Sequence, residues 1–191
     1  MNDNFEISLN RSNPVEINGV RFETEIQSII KIPILPGRSI PVILGIGVTN
    51  KTSTCLYFPR VDSLMFPNCI DSNNRIIEGD SDMLRPRVKG KPYYLVSLGE
   101  REFFSYESFL SRGFFQTPRV MSFCQLQFKF YNEAGGFFYF RNLKSGKYRL
   151  QLFLSYPEIK TLASLPPSVQ NLAIPWTGKA TLLFVEFQLV F

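Results

Sequence analysis

The chain contains no histidine among its 191 residues. That absence removes Ser-His-Asp and Cys-His nucleophile activation, imidazole acid–base chemistry and histidine-ligated zinc from the available mechanisms. Alanine, the strongest helix former, occurs only at positions 134, 163, 173 and 180, beside 19 Phe and 8 Tyr, which argues against an all-α protein. Cysteine is limited to Cys55, Cys69 and Cys124, with no Cys-x-x-Cys pair. No zinc-site spacing is written there, no cofactor motif is present, and three scattered thiols are expected to be reduced and buried, although a disulfide stays open. No apolar run approaches the ~18 residues of a membrane span. The stretch Met1–Glu6 has no basic segment leading into an apolar one, so a secretory signal is not expected and the cytoplasm is the expected location.

Hydrophobic material, in contrast, is plentiful. Leu, Ile, Val and Phe number 20, 15, 11 and 19, enough for a core without staples in one domain spanning 1–191. The net charge of +5 is uneven: residues 111–191 carry nine basic and three acidic groups. A nucleic-acid binder shows a denser basic patch than this, so a mildly basic surface without nucleic-acid partners is the expectation.

Alternation of apolar with other residues is the dominant pattern, and it predicts strands. Ile40, Val42, Leu44, Ile46 and Val48 share one face of a strand over Ser39–Thr49. Val20–Ile30 reads as one strand with Phe22 and Ile26 on a common face. Thr54–Phe58 and Leu64–Phe66 read as short extended segments, and Pro67 marks an edge. Asp71–Asn74 reads as the four-residue loop of a hairpin. Gly79–Pro92 reads as loop, Tyr93–Leu98 and Phe103–Phe109 as strands. Leu110–Arg119 reads as irregular, with room for one helical turn. Val120–Tyr131 alternates through Cys124, Leu126, Phe128 and Phe130, and Asn132–Gly136 reads as a turn. Phe137–Pro157 reads as a long hairpin-like unit with Tyr148, Leu150, Leu152 and Leu154 on one face. Residues 158–175 form a proline-punctuated connection with a short helix expected near Ser168–Leu172. The last strand is expected over Lys179–Phe191, with Leu183, Val185, Phe187, Leu189 and Phe191 inward.

Eight or nine strands without alternating helices predict an all-β sandwich or barrel. Tyr148, early in a penultimate strand after Ser145-Gly146-Lys147, has the placement of a tyrosine corner, whose hydroxyl bonds backbone a few residues upstream. Three stretches together resemble bacterial immunoglobulin-like modules. They are Gly47-Val48-Thr49-Asn50-Lys51-Thr52-Ser53, the Gly-x-Tyr strand Gly146-Lys147-Tyr148-Arg149-Leu150-Gln151-Leu152, and Trp176-Thr177-Gly178 followed by Val185-Glu186-Phe187-Gln188-Leu189. Among named families the arrangement is similar to the intracellular proteinase inhibitors, over about half the chain. The resemblance implies an immunoglobulin-like antiparallel β-sandwich with long loop insertions near 79–92, 110–120 and 157–175, and a bacterial, proteinase-inhibitor-like binder.

Aromatic doublets are the oddest feature: Tyr93-Tyr94, Phe103-Phe104, Phe114-Phe115 and Phe137-Phe138-Tyr139-Phe140. Strand neighbours point to opposite faces, so each doublet directs one ring away from the core. Loops can cover such rings. Otherwise they mark a contact surface, and Tyr94, Phe104, Phe115, Phe137 and Phe138 are the candidate partner-binding residues, expected to place at least two rings in one exposed patch or subunit contact. Arg85, Arg87, Lys89 and Lys91 alternate with Pro86, Val88, Gly90 and Pro92, a candidate anion-binding run or an edge guarded by charge. Asp71, Asn73, Glu78, Asp80 and Asp82 fall short of a calcium loop because Arg75 occupies a ligand place. No carboxylate pair or Ser–Lys pair stands in a recognisable catalytic setting. The sequence therefore points to a non-catalytic protein–protein interaction module that binds an unidentified protein or itself, and needs no cofactor, metal or membrane. The alternative is a carbohydrate- or anionic-polymer-binding β-sandwich module.

Overall fold

A computed structural model of the chain describes residues 7–59, 64–83, 93–117, 120–131, 136–156 and 172–191. These residues form sixteen strands in three sheets and no helix. The largest sheet runs in the order β1 (Leu9–Arg11), β3 (Val20–Gln27), β5 (Arg38–Asn50), β10 (Arg101–Thr117), β11 (Val120–Tyr131), β12 (Gly136–Phe140) and β8 (Gly79–Met83). Strand β2 (Val15–Ile17) lies beside β3, and every pairing in this sheet is antiparallel. In the second sheet β13 (Gly146–Tyr156) is central. It pairs with β7 (Leu64–Asp71) on one side and with β15 (Gly178–Thr181) and β16 (Val185–Val190) on the other. Strand β4 (Ile29–Lys31) runs parallel to β16. A third sheet joins β6 (Leu56–Pro59) antiparallel to β9 (Tyr93–Val96) and parallel to β14 (Ile174–Pro175). The molecule is thus all-β with antiparallel and mixed sheets that end on outer strands instead of closing into a barrel. The two parallel pairings correct the expectation of a purely antiparallel fold.

One core joins all three sheets. Val42, Leu44, Ile46 and Val48 pack in it with Tyr148, Leu150, Leu152 and Leu154 and with Val185, Phe187 and Leu189. Trp176 lies in the same core, its ring 5.0 Å from Phe22, 5.8 Å from Phe58 and 5.5 Å from Tyr156. The period-two rows of the sequence are therefore the inner faces of the strands.

The expected strand Val20–Ile30 is cut at Ser28. The Ser28 N–H donates to the Ser8 carbonyl at 2.9 Å beside the large sheet, and the Ser28 carbonyl accepts from Gln188 N–H at 2.8 Å in the second. One residue thus hands the chain from sheet to sheet with both backbone groups satisfied. The expected hairpin Phe137–Pro157 is likewise a crossing, because β12 pairs with β11 and β8 while β13 lies in the other sheet. Its corner, Arg141–Ser145, buries Leu143 and places Asn142 in the left-handed region, at φ 57°. The Tyr148 hydroxyl donates to the Lys144 carbonyl at 3.0 Å and accepts from the Lys144 N–H at 2.9 Å. That is the tyrosine-corner geometry the sequence predicts.

The closing strand also departs from the simple pattern. Between the pairs Leu150–Val185 and Phe153–Thr181 the returning chain holds one residue more than β13 does. This bulge flips the parity, so Ala180 and Leu182 are inward first and Val185, Phe187 and Leu189 afterwards, while Leu183 and Phe191 are exposed. Gln151 supports the bulge by donating from Nε2 to the Leu182 carbonyl at 3.0 Å. Pro67 sits where the β7–β13 register shifts, on the outer strand expected of it. The turn at Asp71 closes over three residues rather than four, with Asp71 N–H bonded to the Arg75 carbonyl at 3.0 Å and Asn74 at φ 61°. Leu110–Thr117 continues β10 instead of breaking it, and Gly79–Met83 is a strand, not loop. Residues 132–135 of the expected turn and the short helix expected near Ser168 fall outside the described residues.

Tyr148→Phe removes both corner bonds and leaves the ring in place. We expect it to lower unfolding free energy by about 1–2 kcal/mol, read in urea through the fluorescence of the single tryptophan, Trp176.

Candidate interaction surface

Four of the five aromatic candidates, Tyr94, Phe104, Phe137 and Phe138, have described side chains, and these four do not form one exposed patch. Tyr94 and Phe104 stack with ring centroids 4.0 Å apart, but Phe104 is only 3% exposed and belongs to the core, with Tyr94 half-buried against it. Phe137 and Phe138 take opposite faces of β12 and are both 8% exposed. Phe104, Phe137 and Phe138 are therefore buried within this chain and supply no exposed rings. Phe138 packs on Phe130 in the core, at 5.7 Å. Phe137 does lie on the outer face, but its neighbours there cover it. Tyr131 stands 5.7 Å away, Tyr139 5.6 Å, and the Lys129 ammonium 4.3 Å above its ring. Phe115 lies in register with Phe123 on β11; its side chain, like those of Phe114 and Cys124, is outside the described residues. So are Arg85, Arg87, Lys89 and Lys91.

The outer face of the large sheet carries two polar arrangements that alternation alone does not reveal. At the β8 end, Tyr139 donates its hydroxyl proton to Asp80 Oδ2 at 3.0 Å and accepts from Arg141, whose guanidinium also lies 4.6 Å over the Tyr139 ring. The Ser81 N–H and the Tyr139 hydroxyl hold the Asp80 carboxyl below its ordinary range, while burial and the bond to Asp80 push the Tyr139 phenol up. At the opposite end, Glu23 and Glu25 are buried side by side on β3. Arg101, two strands away, reaches both, pairing closely with Glu25 and standing 3.9 Å from Glu23. Arg21 and Arg11 complete the row at 2.7 Å from Glu23 and 3.5 Å from Glu25. Gly47 makes that reach feasible, since a Cβ there would meet Glu25 Oε1 at 2.5 Å and the Arg101 guanidinium besides. Gly45 similarly receives the Phe103 ring. Three guanidiniums enclose the two carboxylates, so these carboxylates are engaged rather than poised for acid–base work.

A third region stands apart. Strand β5 stops pairing with β10 at Arg38–Arg112, and β12 pairs with β11 only from Phe128 onward. From Gly113 to Gln125 the β10–β11 ribbon continues with register pairs Gly113–Gln125, Phe114–Cys124 and Phe115–Phe123, and no third strand joins it among the described residues. The connection Pro33–Gly37 curls against the root of this arm. Arg112 donates from Nη1 to the Ile34 carbonyl at 2.8 Å, and Gly37 N–H donates to the Arg112 carbonyl at 2.6 Å. Ile34 and Leu35 at its tip are 77% and 59% exposed. The only sequence signal for this region was Pro36-Gly37, which marks a turn but not apolar residues left in water.

Cys69 is buried, and burial followed by the charge of Asp71 pushes its thiol up to about 12. Cys55 is half-buried, and both are free thiols. Among the described residues no three His, Cys, Asp or Glu side chains gather as a metal site, and no helix is long and apolar enough to cross a membrane.

Two outcomes are expected. Arg101→Ala leaves the buried Glu25 with only the exposed Arg11 as its partner and should destabilise by about 1–3 kcal/mol, whereas the paired change Arg101→Met with Glu25→Leu should recover most of that in denaturant titrations. Because the Asp80 carboxyl is lowered in the folded state, its contribution is present above the ordinary carboxylate pKa and is lost as pH falls through the depressed value. An NMR titration should place the Asp80 midpoint below ~3.9, and Tyr139→Phe should move it upward.

Comparison of the chain with protein-family models, curated proteins and solved structures finds no match, so the reading of its function stands on the geometry above.

Proposed function

We propose that this chain is a non-catalytic protein–protein interaction module built on a single immunoglobulin-like β-sandwich. Support for the sandwich comes from a core shared by facing sheets, the Tyr148 corner and a closing strand beside the Tyr148 strand. The contact function rests on one observation: exposed Ile34 and Leu35 sit at the root of a two-stranded arm that no described strand flanks. Burying a residue of that size is worth ~1.5–3 kcal/mol, so an apolar tip held in water beside a ribbon that no described strand flanks supports a surface completed by a partner. The catalytic alternative has no support among the described residues, because the clustered carboxylates Glu23 and Glu25 are each committed to arginines.

The test is retention of a defined protein on the immobilised chain, with Leu35→Asp as the comparison. Wild type should retain a specific protein, a copy of this chain included, and Leu35→Asp should lose it while unfolding at the same urea concentration. Equal retention by both, or none by either, ends the reading. The row Tyr131, Phe137 and Tyr139 with Lys129 and Arg141 favours a second reading, a carbohydrate- or anionic-polymer-binding module. Glycan or heparin binding that survives Leu35→Asp but disappears in Lys129→Ala would establish that reading instead.

A further inference from the structure

We infer that the outer face of the second sheet receives an acidic, apolar-bearing segment of another protein, with Arg149 taking one of its carboxylates; this rests on the interaction reading above and adds a second face to it. On the outer face of the large sheet Arg11, Arg21, Arg101 and Arg141 are each paired with a carboxylate of this chain. Arg149 is held differently. It lies in register with Glu186 of β16, yet among the described residues it forms no ion pair with that or any other carboxylate. Its guanidinium donates instead to Asn74 Oδ1 and lies 5.5 Å over the Phe184 ring. Both holders are neutral, so they fix the plane of the group without cancelling its charge.

Local structure places both holders. Asp71 Oδ1 accepts from the N–H groups of Asn73 and Arg75 at 2.8 and 2.9 Å, so a closed turn presents Asn74 and engages the nearest carboxylate in that turn. The bulge ahead of Val185 sets Phe184 beside Arg149 on the outer face. A guanidinium already fixed in this way loses little further freedom when a carboxylate takes its remaining donors. The charge around it has the same sign: on the outward positions of β13, β15 and β16, Lys147, Arg149 and Lys179 stand with one carboxylate, Glu186. Apolar side chains adjoin them. Ile70 lies in register with Arg149 on β7, and its bridge partner Ile76 is exposed. An arginine anchor with few cations among apolar side chains suits a protein segment that carries both carboxylates and leucine or phenylalanine. A polyanion requires a denser basic row.

NMR titration of the full chain tests this, read at the Arg149 Nε–H signal. The probe is the end-capped peptide Glu-Leu-Glu-Phe, with Lys-Leu-Lys-Phe, Glu-Ser-Glu-Ser and heparin run beside it at fixed ionic strength. Glu-Leu-Glu-Phe should shift the signal saturably and bind at least ~5-fold more tightly than either other peptide. Arg149→Lys keeps the charge but loses the planar fork and should weaken binding at least ~5-fold, whereas Glu186→Gln should tighten it at least ~2-fold. Trp176-monitored unfolding should be unchanged in both variants. The inference is overturned by the absence of a saturable shift, by equal binding of either other peptide, or by equal binding in Arg149→Lys. A response to heparin but not to Glu-Leu-Glu-Phe marks a polyanion surface and overturns it too. If this face fails while Leu35→Asp still abolishes retention of a protein, the second face alone is lost; if nothing is retained either, the interaction reading falls with it.

Discussion

Strand β10 is the constraint on which the large sheet depends. Its seventeen residues pair with β5 from Arg101 to Arg112 and with β11 from Ser108 to Thr117. The two registers overlap for only part of its length, so one strand staggers the two halves of the sheet against each other. That stagger leaves Arg101 and Phe103 to cross Gly47 and Gly45 at one end and carries the arm past the start of β5 at the other. Non-local pairing of this kind is expensive in loop entropy and slow to form, and the inner row Phe104, Tyr106 and Leu110 offsets it by entering the common core.

Where the chain leaves one sheet for another, satisfied polar groups hold it. Ser28 divides its backbone between two sheets, and Tyr148 clamps Lys144. Asn50, fully buried at the end of β5, donates from Nδ2 to the carbonyls of Thr54 and Val96 at 2.7 and 2.8 Å and accepts from Thr52 N–H at 2.8 Å. Its amide therefore ties β5, the 51–54 turn and β9 into one corner. An apolar residue there would leave two carbonyls without partners in a place water does not reach.

The outer face of the sheet explains why a chain so rich in phenylalanine does not present a broad apolar surface in its described part. Phe137 is capped by tyrosines and Lys129, and the other half of the face is floored with glycine and closed by Arg–Glu pairs. Where such pairs are exposed or half-exposed they contribute little stability individually. Their effect is to dress the face with polar ends over apolar stems, while exposed apolar side chains such as Ile34, Leu35 and Ile76 lie elsewhere on the surface.

The sequence by itself determined the class and the inner faces. Period-two rows such as Val42–Val48 and Tyr148–Leu154 are buried because alternation is a local property of extended backbone, and Tyr148 after Gly146 carries its corner in a few contiguous residues. Tertiary structure decided the rest. Whether Ser28 continues a strand or changes sheets, whether the chain past Phe140 folds back or crosses over, and whether Leu182 or Leu183 faces inward all depend on a partner strand distant in sequence. At Phe137 the same distinction holds: strand geometry fixes which face a ring takes, but what covers that face is set by cross-strand neighbours such as Tyr131 and Lys129. The exposed tip at Ile34–Leu35 was illegible because an apolar pair is exposed or buried according to what the fold brings against it, and among the described residues the fold brings the root of the arm there.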